Sequence, residues 1–217
     1  MTTMERNQMS TLPGLCYVGL DLSLVSPCMA IYDNGGWSLY CFQQLRKDRE
    51  LPPIITHNNL TIHIMPPIPN KDMDRFTRYK HIVDSFTQVV RLRPGTVHTK
   101  IEGYGFAATG QGSAYKLHEL SGIIAYTLHS LSNMSTVAFV PPTQWKKLYV
   151  NSGFASKEMV VERVESDLGV DLYQLMNRKR GGKKVPNPIQ DMADAVGLIF
   201  PSVQQMVRSK EQNKRKK

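Results

Sequence analysis

Two acidic residues, Asp191 and Asp194, stand three positions apart in an apolar stretch of the chain. An α-helix turns about 100° per residue, so residues at i and i+3 share one face. Two carboxylates on one face repel each other unless a positive charge lies between them, and a divalent cation is the usual one. The alternative is an acidic pair on a solvated helix face, because charged side chains are mostly exposed.

Two further acids lie at the ends of strand-like stretches far upstream. Asp21 is near the end of the apolar run 15–23, and Glu102 closes the run 97–102 just before a glycine-rich turn. Asp is depleted from strand interiors, so its presence at position 21 indicates a functional role and not a packing role. Two acids on strands and an acidic helix face together predict a carboxylate cluster able to hold Mg²⁺ or Mn²⁺, which prefer oxygen ligands.

The elements that must position these acids begin with an antiparallel meander. Three strands are predicted at about 15–22, 28–32 and 37–42. Between the second and third, Asp33-Asn-Gly-Gly36 is a hairpin signal. The proline-rich segment 51–69 predicts a long irregular connection that holds a short strand at 61–65.

The rest of the chain alternates helices with strands. Apolar residues at helical spacing predict helices over 73–90 and 113–129, and two strands are predicted at 97–102 and 136–140. Ser152 or Ser156 is positioned to cap a further helix that ends near Leu168. Alternation of this kind implies right-handed parallel crossovers. The predicted fold class is α/β, with a mixed sheet of five strands, three antiparallel and then parallel, flanked by helices.

The formal net charge of +9 is concentrated in two basic runs, and the remainder of the chain is near neutral. One run, 208–217, holds six basic residues and one acid. The other run holds five basic residues and no acid: Arg178, Lys179, Arg180, Lys183 and Lys184. Such runs suit phosphate groups, and the second favours DNA because the acidic helix follows closely. The alternatives are a solvated loop, a disordered tail or, in a eukaryotic setting, an import signal.

Composition restricts the class of protein further. At 217 residues with 41% hydrophobic residues, the chain suits one domain with a sizeable core. No apolar stretch approaches the roughly 18 residues of a membrane span, and residues 1–10 lack the apolar centre of a secretory signal. Cys16, Cys28 and Cys41 fall in strand-like runs without a Cys-x-x-Cys pair. We therefore expect reduced core cysteines in an intracellular, reducing compartment, cytoplasmic or nuclear, and no membrane.

Four sets of motifs follow one another in order. They are Gly19-Leu-Asp-Leu-Ser23; Ile101-Glu-Gly-Tyr-Gly-Phe106 with Ser113-Ala-Tyr-Lys-Leu117; Val140-Pro-Pro-Thr-Gln-Trp-Lys-Lys147 with Gly153-Phe-Ala-Ser-Lys157; and Asn187-Pro-Ile-Gln-Asp-Met-Ala-Asp-Ala195. In this order they resemble the RuvC-type Holliday-junction resolvases, members of the RNase H-like nuclease superfamily, over about 18–199. The resemblance implies an RNase H-like fold. It also puts Asp21, Glu102, Asp191 and Asp194 at the catalytic, metal-binding positions.

The resemblance further implies an activity and its partners. A member of this family is a Mg²⁺- or Mn²⁺-dependent endonuclease with two ions per active site, which resolves four-way DNA junctions by paired symmetric nicks and leaves 5′-phosphate ends. Because a two-fold junction requires two active sites, a homodimer formed through the helix over 113–129 is expected. Together with the composition, the resemblance predicts a disordered lead over 1–13, a RuvC-like nuclease domain over 14–207 and a basic tail over 208–217.

Candidate DNA contacts come from the same motifs. Lys146 and Lys157 resemble DNA-contacting lysines of the family, and Lys116 is a further candidate at a helix start facing the same side; a solvated surface charge is the alternative for each. The family carries a phenylalanine wedge after its strand-end glutamate. Here Tyr104, Phe106 or both stand in that place, where a ring could stack on an unpaired base. Core packing is the alternative for these rings.

Other functions remain beside the resolvase. One is a nuclease, as in a phage, viral or other divergent member, that cuts branched DNA of several shapes. A DEDD-type transposase relative would usually need further domains, for which 217 residues leave little room. A junction-binding module without catalysis would not need all four acids. An actin-like ATPase would need a second phosphate-binding half, which the sequence lacks.

Overall fold

A computed structural model describes residues 14–42, 51–68, 74–103, 111–182 and 184–215. The lead over 1–13 and three of the predicted DNA-binding residues, Tyr104, Phe106 and Lys183, lie outside these residues.

One mixed sheet organises the part of the chain that is described. Its strands are β1 (Leu15–Asp21), β2 (Cys28–Asp33), β3 (Gly36–Phe42), β4 (Ile54–His57), β5 (Leu60–Met65), β6 (Thr96–Glu102) and β7 (Met134–Val140). The strands lie in the order β4-β5-β3-β2-β1-β6-β7. β1, β2 and β3 form the antiparallel meander, and β6 and β7 continue the sheet parallel to β1. The predicted α/β fold class, with a mixed sheet flanked by helices, is confirmed.

The sheet has seven strands among the described residues, where five were predicted. The two additional strands are β4 and β5, an antiparallel hairpin that pairs through β5 with β3. The short strand expected at 61–65 is part of β5, whereas β4 was not expected. The prolines at 52–53 and 66–67 flank the hairpin and therefore remove no hydrogen-bond donor from either strand. Asn58, with φ 50°, provides the turn.

Six helices are described: α1 (Arg75–Arg91), α2 (Gln111–His129), α3 (Pro142–Val150), α4 (Lys157–Leu168), α5 (Leu172–Leu175) and α6 (Ile189–Arg215). Asp74 caps α1, and Ser156, one of the two predicted residues, caps α4 by accepting a hydrogen bond from the backbone of Met159. The basic run that begins at Arg208 continues α6 as a helix to Arg215.

The helices cover the two faces of the sheet. Alternate residues of β1, Cys16, Val18 and Leu20, pack in a core with Phe86 of α1 and Leu120 of α2. The opposite face packs against α3, α4 and α6, in a second core around Trp145, Val160, Ala195 and Ile199. The residues of β1 that alternate with the first set, including Gly19 and Asp21, therefore face α6.

Two glycines permit the close approach of α6. A Cβ on Gly19 would lie 2.1 Å from the carbonyl oxygen of Ala195, so only glycine lets the α6 backbone contact β1. A Cβ on Gly197 would lie 2.6 Å from the ring of Trp145, so this glycine lets α3 pack on α6. The start of α6 is thus held between β1 and α3.

The cysteine prediction is confirmed, because Cys16, Cys28 and Cys41 are free and buried. No helix within the described ranges is long and apolar enough to cross a membrane.

Candidate active site

The two acids on strands end neighbouring parallel strands on the same face of the sheet. Leu20 of β1 is paired with Ile101 of β6, and the next residues along each strand are Asp21 and Glu102. Ile101 belongs to the core on the α1 and α2 side, so the period of two along a strand turns Glu102 toward α6. The carboxyl groups of Asp21 and Glu102 share a hydrogen bond.

The two acids on the last helix face this pair. Asp191 and Asp194 lie in the first two turns of α6, which approaches β1 at Gly19 next to Asp21. Asp21 is 6% exposed, and Asp191 and Asp194 are each 5% exposed. The structure therefore brings together all four predicted carboxyl groups at one buried edge of the sheet.

Burial and mutual repulsion dominate the electrostatics of this carboxylate cluster. The pKa of Asp21 is raised well above its ordinary value by burial and by the negative charges of Glu102, Asp194 and Asp191. Burial also raises the pKa of Glu102, against the hydrogen bond from Trp145. Burial raises the pKa values of Asp191 and Asp194 to about 6. The positive charges of the protein therefore do not compensate the negative charges of the four carboxylates.

Each side of the cluster has its own hydrogen-bonding support. Nε1 of Trp145 donates to Oε1 of Glu102 at 3.0 Å. Nε2 of Gln190 donates to Oδ2 of Asp194 at 3.3 Å, and Oε1 of Gln190 accepts from Nζ of Lys157 at 2.6 Å. The lysine therefore fixes the orientation of the amide that supports Asp194.

Asp191 is supported from the turn that follows β1. The hydroxyl of Ser26 donates to Oδ2 of Asp191, and Nδ2 of Asn187 donates to the same hydroxyl at 2.9 Å. Ser26 is fully buried. The supporting residues Ser26, Trp145, Asn187 and Gln190 were not predicted. Trp145, Asn187 and Gln190 lie inside the quoted motifs, whereas no sequence signal connects Ser26 with Asp191.

The residues present suit a divalent cation in their chemistry. All four side chains are oxygen donors, and Oδ1 of Asp194 is buried with no hydrogen-bond partner. Within the described ranges, however, no group of three or more His, Cys, Asp or Glu side chains is already arranged to hold a metal ion. One oxygen of Asp191, one of Glu102 and one of Asp194 accept hydrogen bonds from Ser26, Trp145 and Gln190, so the other oxygen of each carboxyl group is the one that would turn to a cation.

Two of the three predicted DNA-contacting lysines lie beside the cluster. The charge of Lys146 lowers the pKa values of Glu102 and Asp194, against the larger effect of burial. Lys157 has the same effect on Asp191 and Asp194. Lys116 is exposed on α2, which covers the opposite face of the sheet. The expectation that Lys116 faces the same side as the other two lysines is therefore wrong, because α2 packs on the face of the sheet opposite α3 and α4.

The basic segment 178–184 lies between α5 and α6. Its Arg180 forms ion pairs with Glu165 at 2.6 Å and Asp171 at 3.2 Å, and its guanidinium lies 4.5 Å from the ring centre of Tyr173. Lys179 and Lys184 are exposed, and the backbone N–H of Arg178 donates to the carbonyl of Tyr173. Arg180 therefore links α4 to α5, a contact that the count of basic residues does not predict.

Such a cluster can bind a cation between β1, β6 and α6 while Lys146 and Lys157 attract an anion to its rim. A phosphate ester placed between them would meet positive charge on one side and metal-binding oxygens on the other. This combination suits the cleavage of phosphate esters.

Comparison with solved structures shows that this chain shares the fold of RuvC. The structure of RuvC from Thermus thermophilus has a TM-score of 0.54 and 15% sequence identity, over 88% of this chain and 96% of that chain. T. thermophilus RuvC in complex with Holliday junction substrate has a TM-score of 0.51 and 16% identity, over 86% and 91% of the two chains. The yeast mitochondrial Holliday junction resolvase Ydc2 has a TM-score of 0.46 and 13% sequence identity, over 85% of this chain and 76% of that chain. No protein-family model and no curated protein sequence matches the chain.

Proposed function

We propose that this chain is a metal-dependent, structure-selective endonuclease that resolves four-way DNA junctions by paired symmetric nicks and leaves 5′-phosphate ends. The observation that carries the proposal is the buried cluster of Asp21, Glu102, Asp191 and Asp194 at the end of β1, on a RuvC-like fold. A module that only binds junctions has no use for four acids, which repel the phosphates of DNA.

The catalytic residues in this proposal are the four acids, which would hold Mg²⁺ or Mn²⁺. When bound, two such ions supply Lewis acidity for the attack of water on phosphorus and for the departure of the 3′ oxygen. A cation would give the buried Oδ1 of Asp194 the polar partner that it lacks. Trp145, Ser26 and Gln190 orient Glu102, Asp191 and Asp194 respectively.

Substrate binding in this proposal rests on positive charge at the rim of the cluster. Lys146 and Lys157 attract the phosphate that is cut, since both already act on the carboxyl groups electrostatically. Lys116 and the basic segment 178–184 would contact the arms of the junction farther away. Tyr104 and Phe106 stay candidates for the wedge that opens the junction at its centre. We assign these functions to a nuclease domain over 14–207.

A homodimer is part of the proposal, because a junction with two-fold symmetry is cut at two symmetric positions. The outer face of α2 carries exposed apolar side chains at helical spacing: Tyr115, Ile123 and Tyr126. Between them, a Cβ on Gly122 would meet no atom within 4 Å, so a partner can approach the helix backbone closely. A second copy packed on this face would cover apolar surface that water otherwise contacts.

The test uses three synthetic substrates of the same length and end label: a four-way junction, a flap and a linear duplex, each incubated with Mg²⁺. Paired symmetric nicks confined to the junction are the expected result, and sealing of the nicked products by DNA ligase checks for 5′-phosphate ends. Equal cutting of flap and junction would instead identify a nuclease for branched DNA in general. Binding of the junction without cutting in either Mg²⁺ or Mn²⁺ would refute the nuclease.

A further inference from the structure

Phe154 is 94% exposed, the highest value among the large hydrophobic side chains of the described residues. It lies in the loop 151–156 between α3 and α4. Phenylalanine is among the residue types most often buried, and full burial of such a ring is worth about 1.5–3 kcal/mol. A ring left in water at this position indicates a surface that something else covers.

The backbone of the loop that carries Phe154 is held by hydrogen bonds and by packing on α3. Asn151 ends α3 in the left-handed conformation with φ 61°, and the backbone N–H of Ala155 donates to the carbonyl of Ser152 at 3.2 Å. Ala155 is buried, and Ser156 caps α4. A Cβ on Gly153 would lie 2.9 Å from the carbonyl oxygen of Thr143, so the loop is packed closely on α3. The exposure of the ring follows from a defined backbone.

Both ends of this loop are tied to the carboxylate cluster. On one side it packs on Thr143, two residues before Trp145, which donates to Glu102. On the other side, Lys157 follows three residues after Phe154 and contacts Gln190, the residue that supports Asp194. Three residues span at most about 10 Å. The exposed ring therefore stands close to the rim at which the proposed substrate binds.

The charges around the ring favour DNA as its partner. Residues 141–159 contain Lys146, Lys147 and Lys157 against the single acid Glu158, a net charge of +2. Self-association has a separate candidate surface on α2, at the opposite face of the sheet. An aromatic ring among lysines is the combination with which proteins bind unstacked bases along a phosphate backbone.

We propose that Phe154 stacks on the exposed face of a nucleobase at the branch point of the DNA substrate. The proposal rests on the proposed function and deepens it, because it names a second aromatic contact, distinct from Tyr104 and Phe106, that favours branched over linear DNA. In a continuous duplex every base is covered by its neighbours along the strand. At a branch point, base faces become available, so the ring contributes to junction binding and not to duplex binding.

The test measures DNA affinity by fluorescence anisotropy in Ca²⁺ instead of Mg²⁺, to hold back cleavage. Phe154→Ala is expected to weaken junction binding by about 5-fold to 150-fold, the range for loss of one base–aromatic stack. Phe154→Trp should bind the junction within about 2-fold of wild type. Phe154→Leu keeps an apolar side chain without a π-face and should resemble Phe154→Ala. Affinity for a linear duplex of the same length should not change.

Controls separate stacking from other causes. Phe76→Ala removes a half-exposed phenylalanine from α1, and it should leave junction affinity unchanged. A junction with 2-aminopurine at the branch point should report a change in fluorescence on binding to wild type, and Phe154→Ala should lose this change. Thermal unfolding of each Phe154 variant should match wild type, because the ring of Phe154 contacts solvent.

Three results would overturn the inference: unchanged junction affinity in Phe154→Ala, full junction affinity in Phe154→Leu, or a smaller molecular mass of Phe154→Ala in solution. The last would assign the ring to contact between copies of the chain. Failure of the nuclease is distinguishable, because it appears as junction binding without nicking by the wild-type protein.

Discussion

The hydroxyl of Ser26 donates a hydrogen bond to Oδ2 of Asp191, although 165 residues separate them in the chain. Ser26 lies in the turn that leaves the strand of Asp21, and Oγ of Ser23 shapes this turn by accepting the backbone N–H of Ser26 at 2.9 Å. Asn187 donates to the same hydroxyl. One turn therefore connects the strand that carries the first acid to the helix that carries the third.

The first prediction concerns this connection. Ser26→Ala leaves a buried Asp191 without its donor, so we expect about 10-fold to 100-fold weaker Mn²⁺ binding, as for other residues that orient metal ligands. We also expect a loss of about 1–3 kcal/mol in the free energy of unfolding. Calorimetric Mn²⁺ titration and thermal unfolding measure both, with the exposed Ser209→Ala as control. A less stable variant with unchanged Mn²⁺ affinity would limit Ser26 to a structural contribution.

The second prediction separates cleavage from binding. Asp191→Asn removes a proposed metal ligand and also lessens the negative charge near the phosphate. We expect nicking of the four-way junction to disappear while junction affinity stays equal or rises. Asp84→Asn, at an exposed position on α1, is the matched control and should nick like wild type. Near wild-type nicking by Asp191→Asn in Mg²⁺ would remove Asp191 from the catalytic set.

The placement of the four acids could be predicted in part from local rules. Asp21 and Glu102 each end a predicted strand, but four strands and one helix separate β1 from β6 in the chain, so the expectation that they are neighbours came from the family resemblance. Asp191 and Asp194 share a helix face through their spacing alone. The need for glycine at position 19 could not be predicted from the sequence. It is seen only in the structure, where the carbonyl of Ala195 occupies the space that a side chain on residue 19 would take.

Contacts between residues far apart in the chain were not predictable from one sequence. The hairpin of β4 and β5 was not predicted as a whole, because prolines flank it and a proline-rich segment indicates a loop. The sequence alone does not show that these prolines lie outside the strands. Arg180 counted as one charge of a basic run, yet it pairs with Glu165 across 15 residues. Side-chain pairing of this kind depends on the packing of α4 against α5, which residue spacing does not encode.

The third prediction follows from the pKa of Asp194, which burial and the charge of Glu102 raise to about 6. A carboxyl group with a raised pKa in the folded state stabilises the fold below about pH 4, and this contribution is lost as the pH rises through about 6. The loss is worth about 3 kcal/mol for one group. Asp194→Asn removes this dependence of stability on pH, because an amide does not titrate.

Thermal unfolding in EDTA at pH 4 and pH 8 measures the effect. Asp194→Asn should match wild type at pH 4 and unfold at a Tm higher by about 6–12 °C at pH 8. Added Mg²⁺ at pH 8 should raise the Tm of wild type more than that of the variant. If the Tm of both proteins changed equally with pH, Asp194 would not be a group with a raised pKa.

The fourth prediction tests the dimer. Tyr126 is 78% exposed on the outer face of α2, and Tyr126→Glu would place a charge inside an interface formed there. We expect a monomer by sedimentation equilibrium and single nicks in place of paired ones. Leu92→Glu adds the same charge at a side chain that is 76% exposed beyond the end of α1, and it should leave the mass unchanged. A dimeric Tyr126→Glu protein would move the interface away from this face.

The last prediction concerns the basic segment 178–184, in which Arg180 and the lysines have different surroundings. Arg180 pairs with Glu165, a residue that is only 8% exposed. Arg180→Gln is therefore expected to cost about 1–2 kcal/mol in the free energy of unfolding, since a nearly buried carboxylate loses its cation. Neutralising the whole segment would mix this loss of stability with any loss of DNA contact.

A cleaner variant changes Lys179, Lys183 and Lys184 to glutamine and retains both arginines. If the lysines grip phosphates, affinity for the junction falls, and the slope of log affinity against log salt decreases by up to about 0.9 for each lost contact. Because the four acids remain, cutting at saturating DNA should persist. Anisotropy between 50 and 200 mM salt measures the slope, about the range over which phosphate contacts are resolved. An unchanged slope would make the segment a solvated loop and leave phosphate binding to Lys116, Lys146, Lys157 and the basic end of α6.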